Sequence, residues 1–249
     1  MTDLNTLTRR ALLTLALLGL LVSTGQAAEK LKLLIVDGQN NHNWKATSPV
    51  LKSFLEKSGR FTVTVSTSPA RNGGEAAWAK FRPDFASADV VLSNYNGQLW
   101  PGPVQASLEK YVSGGGGLVI VHAANNAFDG WVEFETMVCL CWRGGTGHGR
   151  FHAFDVRMVD RRHPITDGMP DLIAHPDELY HRLVPMHGAS YDILATAHSA
   201  KESGGTGEDE PMILVSKFGK GRIFHTPLGH VWRGREATKA SFRDPQLSM

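Results

Sequence analysis

Gly114-Gly-Gly-Gly-Leu118-Val-Ile-Val-His122-Ala-Ala124 is the stretch that decides the fold. A glycine turn feeds a short aliphatic run, and the run stops abruptly on a titratable side chain. A run that is apolar on both faces fits a strand buried within a parallel sheet. In open α/β sheets the carboxyl ends of the strands line the ligand crevice, so this reading delivers His122 to the place where chemistry happens. The pattern recurs. Leu33-Leu-Ile-Val36 runs into Asp37-Gly-Gln-Asn-Asn-His42, Val90-Val-Leu92 runs into Ser93-Asn-Tyr-Asn-Gly97, and Arg222-Ile-Phe224 leads through His225 to Gly229-His230. Several strands that each finish on His or Asn imply one shared polar site, provided their ends lie side by side.

Outward from that stretch, residues 32–37 read as the first strand, 49–58 as a helix with Val50, Phe54 and Leu55 at helical spacing, and 61–66 as the second strand. Residues 90–94 read as the third strand and 104–113 as an amphipathic helix returning to the strand that ends at His122. Alternating strands and helices indicate βαβ units, hence an α/β protein with a doubly wound, mostly parallel sheet. The second half is less regular. A short helix is expected at 131–137, a loop at 144–149, strands at 151–159, 192–197 and 212–217, and a hairpin turn at Phe218-Gly-Lys-Gly221. Residues 199–209, rich in Gly, Ser and acidic side chains, read as a mobile surface loop.

Residues 1–28 read as an export signal: Thr8-Arg-Arg10 precedes an apolar run and the small residues Ser23-Thr-Gly-Gln-Ala-Ala28. The paired arginines are compatible with twin-arginine export and also with the general route. The apolar run is short of the ~20 residues of a membrane span, so no stable span is expected after cleavage, and the product is periplasmic or extracellular. The remaining 29–249, about 220 residues, suit a single α/β domain. The formal net charge is only +2, and losing Asp3, Arg9 and Arg10 brings it closer to neutral, so there is no electrostatic case for a nucleic-acid partner. The two cysteines, Cys139 and Cys141, are one residue apart, a poor geometry for mutual bonding.

With these segments in place the chain resembles the ThuA-like (trehalose-utilisation) family. The stretches that carry the likeness are Asp37-Gly-Gln-Asn-Asn-His42-Asn-Trp44, Ser93-Asn-Tyr-Asn-Gly97, residues 115–128, His163-Pro-Ile-Thr-Asp-Gly168, Asp177-Glu-Leu-Tyr-His181 and Gly219-Lys-Gly-Arg-Ile-Phe-His225-Thr-Pro-Leu-Gly-His230. The resemblance implies a class I glutamine-amidotransferase-like fold, a three-layer flavodoxin-type architecture, and a link to disaccharide use. In true amidotransferases the turn after the central strand carries a cysteine nucleophile. Here His122 takes that place, so glutamine hydrolysis through a thioester is not expected. Relatives also continue past the final Gly-His with a closing helix, whereas this chain reaches Met249 soon after Phe242-Arg-Asp-Pro-Gln246. The expectation is either a less covered last strand or a truncated frame.

Imidazole titrates near neutrality, so a histidine can accept or donate a proton or bind a metal as the neutral ring. His42, His122 and His230 sit on three strand ends. By resemblance His122 replaces the amidotransferase nucleophile and His230 lies about where that fold keeps its catalytic histidine. His122, His230 and Glu178 are the catalytic candidates. The plainer alternative is that His122 caps a strand and that Glu178 pairs with Arg182. Asn40, Asn94, Asn96 and Asn125, with His42, Trp44 and Tyr180, are the candidates for binding substrate, because uncharged amides suit sugar hydroxyls and tryptophan can stack on a pyranose. Asparagine also simply tolerates turns, and Trp131 reads equally as a core lid. The segment around Asp177 is open between a helix, which aligns Glu178 with His181, and a strand, which aligns Glu178 with Tyr180.

No cofactor is required by this reading. A divalent metal is an open alternative, with His42, His122, Glu178, His181 and His230 as the ligand pool, although no compact ligand spacing is present. The remaining histidines, 148, 152, 163, 175, 187 and 198, are assigned mainly to loops. The sequence therefore supports an exported carbohydrate enzyme, a hydrolase, lyase or isomerase acting on a small disaccharide or keto-sugar. The rival is a non-catalytic carbohydrate-binding module, favoured if His122 and His230 lie more than about 8 Å apart, beyond the reach of one bridging water. A third reading, a covalent hydrolase, would need Ser93 or Cys141 as nucleophile.

Overall fold

The computed structural model describes residues 29–231. The segment read as an export signal and the residues after 231 both lie outside the described residues. Among the described residues no helix is long and apolar enough to cross a membrane.

β1 (Leu31–Asp37), β2 (Phe61–Thr67), β3 (Val90–Ser93) and β4 (Gly117–Val121) are the four expected strands of the first half. The second half supplies β5 (His152–Met158), β6 (Leu172–Asp177), β7 (Tyr191–His198), β8 (Asp209–Phe218) and β9 (Gly221–Thr226). All nine join one sheet in the order β2-β1-β3-β4-β9-β8-β7-β5-β6. From β2 to β9 every pairing is parallel. Beyond β9 the sheet continues antiparallel. The switch follows from connection length: β8 and β9 are joined by a tight turn, which only antiparallel neighbours allow.

Among the described residues the α-helices are α1 (Trp44–Lys57), α2 (Gly74–Lys80), α3 (Gly102–Ser113) and α4 (Val132–Val138). Alternation along the strands sorts the layers. Leu33 and Ile35 of β1 pack with Leu51 and Leu55 of α1 on one face. Leu34 and Val36 point the other way, into a larger cluster with Trp78, Leu108, Val112 and Phe134 from the other three helices. The result is the three-layer α/β architecture expected from the sequence.

Three expectations shift. α1 begins five residues before Pro49, because Thr47 and Ser48 in its first turns accept hydrogen bonds from Asn94 Nδ2 at 2.9 and 3.0 Å. That tertiary anchor outweighs the preference of proline for a helix start. Residues 199–209 are not a loose loop. Ser199 N–H donates to Glu208 O, Gly207 N–H to Ser199 O and Gly205 N–H to Ala200 O, closing the segment on itself. Finally, His152, His175 and His198 lie in strands and His148 in a two-residue ribbon with Tyr180–His181, not in loops.

Candidate active site

The parallel register aligns the carboxyl ends of β1, β3, β4 and β9: Val36 pairs with Ser93, Ser93 with Ile120, and Val121 with Thr226. The loops leaving those ends carry His42, Asn94, His122 and His230. His122 itself is not the last residue of β4 but the first of a 3-10 turn, His122–Asn126. Its φ of +49° is left-handed, a conformation that costs of order 1–3 kcal/mol for a side chain of this size and that concentrates at functional sites. The turn re-aims the imidazole sideways, across the sheet edge. Gly229 packs beside it: its φ of +123° is one that side chains rarely adopt, while a Cβ there would make only ordinary contact with His122 Cβ and Val121 Cγ1 at 3.4 Å.

The rings meet. His122 Nδ1 lies 2.6 Å from Pro227 O, an acceptor, so Nδ1 carries the hydrogen and Nε2 is the lone-pair side. Tyr180 O–H donates to that Nε2 at 2.9 Å. The same Nε2 lies 3.4 Å from His42 Nε2 and 3.3 Å from His230 Nδ1. His42 Nδ1 faces Asn40 Oδ1 at 3.3 Å, and that oxygen also accepts from the His42 backbone N–H. All three histidines are buried. Burial pushes the His42 ring down to about 2, with His122 and His230 adding to the effect. Burial likewise lowers His122, against the pull of Asp177 and the Pro227 carbonyl. Both rings are therefore neutral.

Two carboxylates frame the cluster. Glu178 Oε2 lies 3.0 Å from His230 Nδ1 and 3.6 Å from His148 Nδ1. It makes no pair with Arg182, whose backbone N–H donates instead to Glu210. Asp177 is the residue the sequence reading passed over. Its Oδ1 accepts from the Glu178 and His230 backbone N–H groups, and its Oδ2 accepts from Gly229 N–H at 2.7 Å and faces His175 Nε2. Burial alone would raise this carboxyl, but the His175 ring, His122 and the Gly229 N–H outweigh it and hold it below the usual range. Asp177 thus pins the loop that presents His230. Its position beside Glu178 was the available signal. The segment is neither a helix nor one continuous strand: β6 ends at Asp177 and Tyr180–His181 form a two-residue ribbon, with Glu178 and Tyr180 reaching the cluster and His181 turned toward Gly147. Burial, followed by the Glu178 and Asp177 charges, raises the Tyr180 phenol above its ordinary value.

Not every expected substrate contact faces open space. Asn94 is buried, with its amide held by Asn40, Thr47 and Ser48. Asn125 is fully buried and donates to His225 Nε2 at 3.2 Å. Both are structural, because an amide sealed among protein partners has no surface for a sugar. Trp131 is a core residue whose indole N–H donates to Glu109. By contrast Asn40, Asn41, Asn96 and Asn126 line a cleft of about 530 Å³ with Gln39 and Arg71. His42 and Trp44 line an adjoining cleft of about 510 Å³ that shares Gly38 and Ala70 with the first. Gly38 is required at their junction, since its φ is +119° and a Cβ would strike Ser68 Oγ and its backbone.

The family model ThuA, trehalose utilisation, matches residues 32–244. The chain belongs to the ThuA family. A ThuA-like protein from Parabacteroides merdae is 37% identical over 81% of this chain and 80% of that one, with a TM-score of 0.75. A second ThuA-like protein, from Bacteroides uniformis, is 18% identical over 89% of each chain, with a TM-score of 0.64. A Salmonella typhimurium LT2 protein described as cytoplasmic shares the fold at 12% identity and a TM-score of 0.55, over 88% of this chain and 95% of that one. No curated protein matches.

For this ThuA family member the thiol route is closed. Cys139 and Cys141 are both buried, and burial pushes their thiols up to about 12. Ser93 is buried at the end of β3. What the ThuA site offers instead is a set of neutral imidazoles, a carboxylate and a phenol in mutual contact. The His122–His230 contact of 3.3 Å falls far inside the separation that would have marked a mere binding module. Among the described residues one trio of potential metal ligands has its atoms within 4.8 Å of one another, His42, His122 and His230. Glu178 and His181, expected in the same pool, are not members of it.

Proposed function

We propose that this protein is an exported carbohydrate-active enzyme that handles an oxidised or keto-disaccharide by hydrolysis, elimination or isomerisation. Proton transfer, with no covalent nucleophile, carries the reaction. The observation behind this reading is the contact of Glu178 Oε2 with His230 Nδ1 at 3.0 Å, one step from His122. A carbonyl acidifies the adjacent C–H bond, so a carboxylate–imidazole pair suffices as the base. The Tyr180 phenol, kept protonated by its surroundings, is a donor for the developing oxyanion once its hydrogen turns from His122 Nε2 to the substrate. The amide-lined clefts beside the cluster have the volume of a small-molecule site and supply uncharged donors and acceptors for hydroxyls. Family membership supports the link to sugar use, and the pattern of residues 1–28 supports export.

The test is turnover of a keto-disaccharide panel by the wild-type protein and by His122→Ala. Loss of turnover with an unchanged melting temperature is the expected result. Full activity in the folded variant would remove His122 from the mechanism.

A further inference from the structure

We propose that His42, His122 and His230 form a binding site for one divalent transition-metal ion of the zinc type. Two edges of the triangle have the right length, and all three ligand atoms lie within 4.8 Å of one another. A four-coordinate metal with bonds of about 2.0–2.1 Å holds its ligand nitrogens about 3.3–3.4 Å apart. The two distances that meet at His122 Nε2 are 3.4 Å to His42 Nε2 and 3.3 Å to His230 Nδ1.

The orientation is as telling as the size. Asn40 Oδ1 and Pro227 O, both pure acceptors, sit on the Nδ1 sides of His42 and His122. Each ring therefore keeps its hydrogen on that side and turns an Nε2 lone pair toward the other ring. Two lone pairs facing across 3.4 Å repel unless a cation lies between them; without an ion the Tyr180 O–H takes up the His122 lone pair, and a bound cation would displace that hydrogen bond. Outer acceptors that fix the tautomer of a ligating histidine are the usual support of a metal centre. An all-imidazole set without thiolate suits zinc, copper, iron or nickel rather than calcium or magnesium. Three protein ligands leave a position for water or a substrate oxygen, and a metal there would polarise a carbonyl. Glu178 Oε2 lies 3.0 Å from His230 Nδ1, the nitrogen that would ligate, so metal binding displaces the hydrogen shared between them, and Glu178, outside the mutual trio, is the group placed to take it.

The site rests on ring geometry alone and stands whether or not the substrate is a sugar. The full-length protein, stripped with a chelator and dialysed, is titrated with Co²⁺ and then with Zn²⁺. The expected result is saturation at one ion per chain, an intense four-coordinate visible spectrum, and displacement of cobalt by zinc. His42→Ala and His122→Asn should each weaken binding by about 100-fold or more, beyond the range for outer-sphere partners. His198→Ala, an exposed histidine bonded to Asp209, should bind as the wild type does. A weak six-coordinate spectrum, no saturation at one equivalent, or undiminished binding in a folded His42→Ala protein would overturn the assignment. The wild-type cobalt spectrum decides alone if the variants fail to fold.

Discussion

Glu178 and His230 meet at 3.0 Å, a carboxylate against an imidazole, with both side chains almost wholly out of solvent. They lie well apart in the sequence and are brought together by Asp177, which holds the backbone of both. In the proposed reaction this pair takes the proton. Glu178→Gln preserves the shape and removes the base, so kcat should fall by about 100- to 10,000-fold, the usual weight of general acid–base catalysis. KM should change little. Steady-state kinetics separate the outcomes: a raised KM with normal kcat would make Glu178 a binding residue.

Asp177 is expected to be the costliest polar residue in the site. Asp177→Asn replaces one carboxylate oxygen with an N–H₂ group that must face existing N–H donors. Leaving buried donors without an acceptor costs about 1–3 kcal/mol each. Urea unfolding should therefore show a loss of at least about 2 kcal/mol, and turnover should fall with it as the loop carrying His230 shifts. A variant as stable as the wild type would show that the Gly229–His230 loop is held by something else.

His225 supplies a pH-dependent part of the stability. It is fully buried on β9 against Asn125, and burial pushes its ring down to about 4. The unfolded chain, with an ordinary histidine, binds the proton more readily between pH 6.5 and 4. This contribution to stability is thus complete above pH 6.5 and is lost as the pH falls through that window. Between pH 7 and pH 5 the loss from this one group is of order 2 kcal/mol. Denaturant unfolding of the wild type and His225→Gln at the two pH values isolates it, because the other histidines contribute to both. Equal pH slopes for the two proteins would contradict the assignment.

The parallel half of the sheet was legible because β1, β3 and β4 carry aliphatic runs into the core, while the edge strand β2 alternates. Their polar terminators, His42, Asn94, His122 and His230, showed where the ends would converge. The start of α1 was not legible, since it depends on Asn94 bonding to Thr47 and Ser48, a contact across 46 residues or more of chain. Nor was the division of labour among the asparagines: Asn96 lines a cleft and Asn125 is sealed in the core, a difference of burial that a residue type does not encode. His148 and Asp177 were hidden for a related reason. The two-residue ribbon that holds His148 exists only by pairing with Tyr180–His181, and Asp177 acts through backbone groups 52 and 53 residues away.

The central claim, that the imidazole–carboxylate cluster moves a proton next to a sugar carbonyl, is tested most directly by hydrogen exchange. A keto-disaccharide is incubated with the wild-type protein in D₂O, and the signal of the C–H bond beside the carbonyl is followed by proton NMR. The account requires that this signal vanish far faster than in buffer, and that His122→Ala and Glu178→Gln abolish the acceleration. Retention of the signal while the sugar is bound, as shown by a raised melting temperature, would contradict it.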